Sequence, residues 1–120
     1  MSATDTRNID DPHERRKFKG HGQVDVVTLG NFTIGKGTFE PGWRWSDHVG
    51  PIAGTESCQA AHMGYCVSGR MVVRMDDGTE KEIGPGDVLV IPPGHDAWVV
   101  GDEPCVQVDF TGMETYAKKA

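Results

Sequence analysis

The stretch Gly84–His95, with the sequence GPGDVLVIPPGH, places two turns around a short aliphatic segment. Its glycines supply backbone angles that other residues avoid, and its prolines fix φ. The residues between the turns, Val88–Ile91, are β-branched or aliphatic throughout, which predicts a strand buried on both faces. His95 ends the stretch and would bring a titratable, metal-capable side chain to the rim of a β-fold.

The rest of the chain repeats this alternation of short strands and turns from residue 24 onward. The clearest hairpin signal is Asp76–Gly78. Turn residues that recur every eight to twelve positions or so are typical of β-sandwiches and barrels, and no alternation of strands with helices is evident. The predicted strands cover residues 24–29, 32–39, 43–49, 62–67, 70–75, 79–83, 87–91, 97–100 and 105–110.

The bulk properties predict one small domain in a reducing compartment. The 120 residues suit a polar N-terminal arm (1–20), a barrel domain (21–112) and a C-terminal tail (113–120). A net charge of -6 disfavours nucleic-acid binding, and no apolar run is long enough to span a membrane. Three cysteines without a CxxC spacing, and no apolar signal region near the N-terminus, indicate a cytoplasmic protein without a disulfide framework.

Two motifs of the chain resemble those of the cupin family. The first is PG-x5-H over residues 41–48 followed by YCVSG over residues 65–69, and the second is G-x5-P-x-G over residues 86–94. The resemblance extends over residues 32–110. It implies an all-β fold, a double-stranded β-helix or jelly-roll barrel. It also implies a homodimer, and a pocket inside the barrel that often holds a divalent metal.

Cupin metal sites usually combine a His-x-His pair, a glutamate and a later histidine, and this chain departs from that set. His48 fits the first histidine, whereas the second position is Gly50. His62 stands where the resemblance places the glutamate. The position of the last ligand holds Ala97, and His95 lies two residues before it.

A thiol in the loop 50–59, that of Cys58, could join these imidazoles in a mixed nitrogen and sulfur site. Such donors suit Zn²⁺ and are also accepted by Fe, Ni or Cu, so we expect a divalent ion, with Zn or Fe first. Each of these residues also has a structural alternative. His48 could be a surface histidine, His95 a loop histidine bonded to the backbone, and Cys58 an ordinary small residue. Cys66 and Cys105 lie inside predicted strands and should pack in the core. The candidate metal ligands are His48, Cys58, His62 and His95.

The candidate substrate pocket is lined by Arg44, Tyr65 and Trp98. In a strand over 43–49, Arg44 would share a face with the first candidate histidine, where its guanidinium could bind a carboxylate. A substrate would enter past Trp98 and the loop 50–59. Gly64 leaves space beside His62 that a ligand could use, unless it only relieves crowding. Packing or surface ion pairing is the alternative role for the pocket residues.

These patterns predict a metal-dependent enzyme acting on a small molecule inside the barrel, with its reaction class open among dioxygenases, isomerases and lyases. The first alternative is a metal-free cupin that binds a small ligand as a sensor or accessory protein. Gly50 and Ala97 favour it, because they stand at ligand positions of the family. A structural or interaction module is the third hypothesis.

Overall fold

A computed structural model of the protein describes residues 4–114 and 116–118. These residues form nine strands and two short helices, which follow one another in the order β1 (Glu14–Lys17), β2 (Gly22–Leu29), β3 (Phe32–Phe39), α1 (Trp45–His48), α2 (Gly50–Ala53), β4 (His62–Ser68), β5 (Arg70–Met75), β6 (Glu80–Ile83), β7 (Val88–Ile91), β8 (His95–Val100) and β9 (Cys105–Asp109). None of the described helices is long and apolar enough to cross a membrane.

The strands form two antiparallel sheets, one of six strands in the order β1-β2-β3-β9-β4-β7 and one of three in the order β6-β5-β8. Inward side chains of the strands, among them Met71, Ile83 and Leu89, form one hydrophobic core together with Trp43 and Trp45 of the segment after β3. The all-β prediction is therefore confirmed. The order of pairing brings β4 and β9 side by side, although they are distant in the chain.

The predicted strand over residues 43–49 is wrong. Only Arg44 forms a β-bridge there, with Trp98, and the chain then turns into the helix α1. Asp96 of β8 stabilises the start of this helix, because its carboxylate accepts hydrogen bonds from the Ser46 backbone N–H at 3.0 Å and the Ser46 hydroxyl at 2.9 Å. A cap donated from another strand leaves no local signal in the sequence.

The prediction that β7 is buried on both faces is also wrong. Leu89 and Ile91 point into the core, whereas Val88 and Val90 are 78% and 75% exposed. β7 ends the six-stranded sheet and pairs only with β4 among the described residues. Its outer side chains therefore extend an apolar surface on the outside of the barrel.

The chain ends pack on the same side of the barrel. β1 lies within the segment assigned to the N-terminal arm and pairs with β2. Arg16 of β1 donates hydrogen bonds at 2.7 Å to the carbonyls of Met113 and Tyr116. In the segment assigned to the C-terminal tail, residues 113, 114, 116 and 117 form turns.

Candidate functional site

Three of the predicted ligands, Cys58, His62 and His95, lie together at one end of the barrel interior. All three residues are buried, and the thiol sulfur and one ring nitrogen of each histidine lie within 4.8 Å of one another. The three residues belong to different segments, since His62 begins β4, His95 begins β8 and Cys58 precedes both strands. Tertiary structure is therefore what brings them together.

A two-residue β-bridge places Cys58 beside His95. The Cys58 backbone N–H donates to the His95 carbonyl at 2.7 Å, and the Gly94 backbone N–H donates to the Cys58 carbonyl at 2.7 Å. The turn that ends the Gly84–His95 stretch therefore holds both a histidine and the loop that carries the thiol. This pairing fixes the two backbones, so the two side chains enter the barrel as neighbours.

A carboxylate orients His62 toward the thiol. The Nδ1 atom of His62 donates to Oδ2 of Asp109 at 3.0 Å, and its Nε2 atom lies 3.6 Å from Cys58 Sγ. Gly64 and Asp109 are register partners of β4 and β9, which makes His62 and Asp109 diagonal neighbours on the inner face. This bond leaves Nε2 as the nitrogen that faces the cluster.

A backbone carbonyl orients His95 in the same way. Its Nδ1 atom donates to the carbonyl of Pro92 at 2.8 Å, so the remaining nitrogen, Nε2, is the one that faces the cluster. Its ring is nearly perpendicular to that of His62, with centroids 5.4 Å apart. Both histidines therefore have one nitrogen held by the protein.

The neighbours of the thiol and of His62 change the pKa of each group strongly. Burial alone would raise the pKa of Cys58, but hydrogen bonds with His62 and His95 outweigh it and lower the pKa to about 6. Burial alone would lower the pKa of His62, but hydrogen bonds with Asp109 and Cys58 raise it to about 9. Near neutral pH the two groups therefore form a thiolate–imidazolium pair.

A small cavity of about 20 Å³ lies beside His62 and His95. It has room for about one water molecule. Its lining includes Trp43, Trp45 and Asp109. Both indole N–H groups and the Oδ1 atom of Asp109 are buried without a hydrogen-bond partner in the described part of the chain. Polar atoms of this kind normally have a partner, which points to a polar ligand or water beside the cluster.

The cluster fits a divalent metal ion by its donor chemistry and by its spacing. One thiolate and two imidazoles form a set that tetrahedral zinc accepts, and their Zn–S and Zn–N bond lengths imply ligand atoms about 3.5 Å apart. The 3.6 Å between Cys58 Sγ and His62 Nε2 agrees with that value. The bonds to Asp109 and Pro92 supply the outer support that metal-ligating histidines usually have.

The fourth predicted ligand, His48, lies outside this cluster. It ends α1, and its ring packs against that of His21 with centroids 4.4 Å apart. Its Nδ1 atom accepts a hydrogen bond from the Arg44 backbone N–H at 3.0 Å. The helix that replaces the predicted strand carries His48 away from the barrel interior.

The predicted substrate-pocket residues do not line the inner cavity. The guanidinium of Arg44 lies over the ring of Trp98, 4.5 Å from its centroid, and donates to Asp96 at 3.3 Å. Arg44 therefore has the ionic partner expected of a surface ion pair. Tyr65 points outward from β4 and is 42% exposed.

Gly64 does not leave open space for a ligand, which corrects the expectation stated above. A Cβ atom added there would collide with the Val108 carbonyl oxygen and lie 2.6 Å from Asp109 Oδ1. The glycine therefore allows β9 to approach β4 closely enough for Asp109 to reach His62. Cys66 and Cys105 are fully buried, as expected of core residues.

Sequence reasoning missed two residues of the site, Asp109 and Tyr116. Tyr116 is buried, and its ring packs edge-on to His62 with centroids 5.2 Å apart. Burial raises its pKa well above the ordinary value, and the charges of Cys58 and Asp109 raise it further. Alternation along the predicted strand 105–110 could have identified Asp109, because it shares a face with Cys105 and Gln107. Tyr116 has no comparable signal.

Three depressions larger than the inner cavity are present on the described surface. One of about 650 Å³ lies between β6 and β7, and one of about 390 Å³ lies where β1, β2 and β3 meet; no member of the cluster lines either. The third, an outer groove of about 330 Å³, lies along α1, α2 and residues 116–118 and reaches Cys58. Chemistry at the cluster therefore concerns this outer groove, although it is the smallest of the three.

Comparison with solved structures identifies the barrel as a double-stranded β-helix. A Klebsiella pneumoniae protein described as having a double-stranded beta-helix domain is 21% identical, with a TM-score of 0.60 over 88% of this chain and 87% of that one. KdgF from a Halomonas species is 19% identical, with a TM-score of 0.62 over 93% and 99% of the two chains. A cupin-superfamily sugar phosphate isomerase from Silicibacter pomeroyi is 18% identical, with a TM-score of 0.63 over 88% and 73%.

Sequence comparison places the chain in one family. No curated protein matches its sequence. The profile of the cupin domain matches residues 45–111, which is more than half of the chain and includes all three residues of the cluster. Together with the two-sheet barrel and the resemblance of the turn motifs, this match shows that the chain belongs to the cupin family.

Proposed function

We propose that the protein is a metal-dependent cupin enzyme that acts on a small molecule in the barrel, with Cys58, His62 and His95 as metal ligands. The observation that carries the proposal is the convergence of these three buried donors within 4.8 Å. A divalent ion held there would act as a Lewis acid toward an oxygen of the bound molecule. Zinc is the first candidate and iron the second, because a thiolate with two imidazoles suits the first best.

The residues around the cluster support this role. Asp109 holds the proton of His62 at Nδ1, which keeps Nε2 directed at the thiol. Its second oxygen, Oδ1, can accept a proton or a hydrogen bond from a molecule beside the cluster, and the indoles of Trp43 and Trp45 can donate. The small, largely apolar cavity excludes bulk water, which strengthens such polar interactions.

Metal analysis of the protein purified without added metal tests the proposal. About one divalent ion per chain is expected, and Cys58→Ser, His62→Ala and His95→Ala should each lose most of it. Binding of Co²⁺ to the metal-free protein should add a thiolate-to-cobalt absorption band that is absent in Cys58→Ser.

The chain offers matched controls for both donor types. His48→Ala removes a histidine outside the cluster, and Cys66→Ser removes a buried thiol in the core, so both variants should keep the ion. A protein that binds no metal, or that loses it equally in His48→Ala, would overturn the assignment.

A metal-free small-ligand-binding protein is the second candidate. The observation that favours it is that Cys58 and His62 already satisfy one another at 3.6 Å as an overall neutral pair. In that case the protein would contain no stoichiometric metal, and Co²⁺ would give no thiolate band. Ligand binding would then depend on Asp109 and the two indoles rather than on His95.

We also propose that the protein forms a homodimer through the outer face of β4 and β7. The side chains exposed there are apolar and adjacent in register, with Met63 opposite Val90 and Tyr65 opposite Val88. Two chains of net charge -6 repel each other least where an uncharged surface meets its own copy. A face of this kind can pair with itself about a two-fold axis. Light scattering of the purified protein tests the proposal.

A further inference from the structure

Two aromatic residues, Trp45 and Tyr116, line both the inner cavity and the outer groove. The side chain of Tyr116 is buried and packs edge-on against His62 and against Phe18, with ring centroids 5.2 Å and 6.3 Å away. His62 and His95 line the inner cavity. Cys58 belongs to the lining of the groove but is only 2% exposed, so its thiol is covered there.

The volumes of the two spaces limit what can reach the cluster. The inner cavity, about 20 Å³, holds no more than about one water molecule. The groove, about 330 Å³, has the size of a small-molecule site, which typically measures roughly 300–1,000 Å³. An organic molecule that passes from the groove toward His62 and His95 therefore needs space that Tyr116 or Trp45 occupies.

A buried arginine holds the backbone that carries the ring of Tyr116. The Nη1 atom of Arg16 donates to the carbonyls of Met113 and Tyr116, each at 2.7 Å. Its Nη2 atom donates to the carboxylate of Glu14 at 2.9 Å. The side chain of Arg16 is 7% exposed, and Met113 is almost completely buried. Met113 and Tyr116 are thus attached to β1 through their backbone carbonyls.

The groove itself is mainly apolar. Its walls include Trp45, Val49, Ala53, Ala60 and Ala117, and its polar lining residues are Thr55, Gln59 and Lys118 together with Cys58 and Tyr116. The ammonium of Lys118 lies 3.9 Å from the Glu14 carboxylate, so its charge is already balanced in part. The groove therefore suits a small molecule with a largely apolar body.

We propose that Tyr116 determines the size of the molecule that reaches the Cys58–His62–His95 cluster, and that the outer groove binds the apolar body of that molecule. Arg16 is the positioning residue that holds Tyr116 across the boundary between the two spaces. The inference rests on the proposed function in one respect, namely that the Cys58–His62–His95 cluster is the reactive site. The barrier between the groove and the inner cavity is argued from the packing of Tyr116 alone.

Thiol labelling of the metal-free protein tests the boundary. The probe is N-phenylmaleimide, and peptide mass spectrometry follows Cys58, Cys66 and Cys105 separately. In Tyr116→Ala the labelling rate of Cys58 should rise about tenfold or more, because the buried thiol becomes reachable without local unfolding. In Tyr116→Phe, which keeps the ring, the rate should stay at the level of the unchanged protein.

Arg16→Lys provides a second variant that leaves Tyr116 itself intact. Lysine keeps the charge but has one shorter-reaching nitrogen in place of two, so it cannot serve the two carbonyls and the Glu14 carboxylate together, and Cys58 labelling should again rise, by less than in Tyr116→Ala. The labelling rates of Cys66 and Cys105 report opening of the whole core, and they should change little. An unchanged rate in Tyr116→Ala, an equal rise in Tyr116→Phe, or equal acceleration of all three cysteines would each overturn the proposal.

The labelling result is independent of the metal proposal. Because the protein is stripped of metal first, Tyr116→Ala can expose Cys58 whether or not the unchanged chain binds an ion. If the protein binds no metal but Cys58 is labelled selectively in Tyr116→Ala, the proposed function is rejected and the role of Tyr116 as a size barrier is supported. If the protein binds stoichiometric metal but Cys58 is not labelled selectively, the proposed function is supported and the role of Tyr116 is rejected.

Discussion

The imidazole of His62 donates from Nδ1 to Oδ2 of Asp109 at 3.0 Å, with the two side chains 7% and 13% exposed. The two residues are 47 positions apart and meet only because β4 pairs with β9. The bond selects the ring nitrogen that faces Cys58. The carboxylate of Asp109, the imidazole of His62 and the thiol of Cys58 therefore form a continuous chain of contacts.

Replacement of the carboxylate should weaken metal binding without unfolding the protein. Asp109→Asn keeps the shape of the side chain but removes its charge, so His62 loses the partner that raises its basicity. We expect affinity for the ion to fall about 10- to 100-fold. Competition with a chelator of known affinity measures the change.

Asp96→Asn is the matched control for this experiment. Asp96 also accepts hydrogen bonds in a partly buried position, but it supports α1 and Arg44 rather than the cluster. Its replacement should alter stability more than metal affinity. Equal losses of affinity in the two variants would contradict the role assigned to Asp109.

Metal affinity should strengthen as the pH rises toward 9. Between about pH 6.5 and 9, His62 holds a proton while Cys58 is a thiolate, because their pKa values are about 9 and about 6. His95, Asp109 and Tyr116 are the other titratable groups that face this pair. An ion must displace the proton on His62, so affinity should rise about tenfold per pH unit in this window. Chelator competition at several pH values measures it, and a flat profile would contradict the assignment.

The same pair should add little pH dependence to the stability of the metal-free protein in this window. The raised pKa of His62 contributes stability below about 6.5 that is lost as the pH rises through about 9. The lowered pKa of Cys58 contributes stability above 9.0 that is lost as the pH falls through about 6. The two slopes oppose each other from 6.5 to 9.0, since the folded and unfolded pairs each hold about one proton there. Urea unfolding across this range checks the cancellation.

A methyl group at Gly64 should damage both the fold and the site. In Gly64→Ala the new Cβ would meet the backbone oxygen of Val108 and the carboxylate of Asp109, which must move. We expect a loss of about 1–3 kcal/mol in the free energy of unfolding together with weaker metal binding. Urea denaturation and chelator competition measure the two effects.

Gly84→Ala separates this effect from the general cost of replacing a glycine. The Cβ at Gly84 would meet only the end of the Arg70 side chain, which is exposed and can move aside. We expect a smaller change in stability and none in metal affinity. A loss of affinity as large as that of Gly64→Ala would argue against the close approach of β9 as the cause.

Charges on the outer face of β7 should prevent self-association. Val88→Lys combined with Val90→Glu changes only exposed side chains, so the variant should fold and be monomeric by light scattering. Phe32→Glu removes an exposed apolar side chain on β3, outside this face, and should remain dimeric. A dimer that persists in the first variant would place the interface elsewhere.

Local sequence determined most of the strands. β3 and β5 span Phe32–Phe39 and Arg70–Met75, which are the predicted ranges. The reason is that β-branched residues, glycines and hairpin turns act over a few neighbouring positions. The aliphatic run of β7 does not reveal that only one face of its sheet is covered. Val88 and Val90 are exposed on the uncovered face, as are Met63 and Tyr65 of β4, which is a central strand of that sheet.

The sequence by itself therefore determined an all-β cupin barrel and three metal-capable side chains, Cys58, His62 and His95. Tertiary structure alone decided that these three converge and that His48 does not, because a helix capped by Asp96 replaces the predicted strand. It also decided that Asp109 orients His62 and that Tyr116 covers it. The physical reason is that strands and turns depend on neighbours in the chain, whereas a site depends on pairing between distant segments.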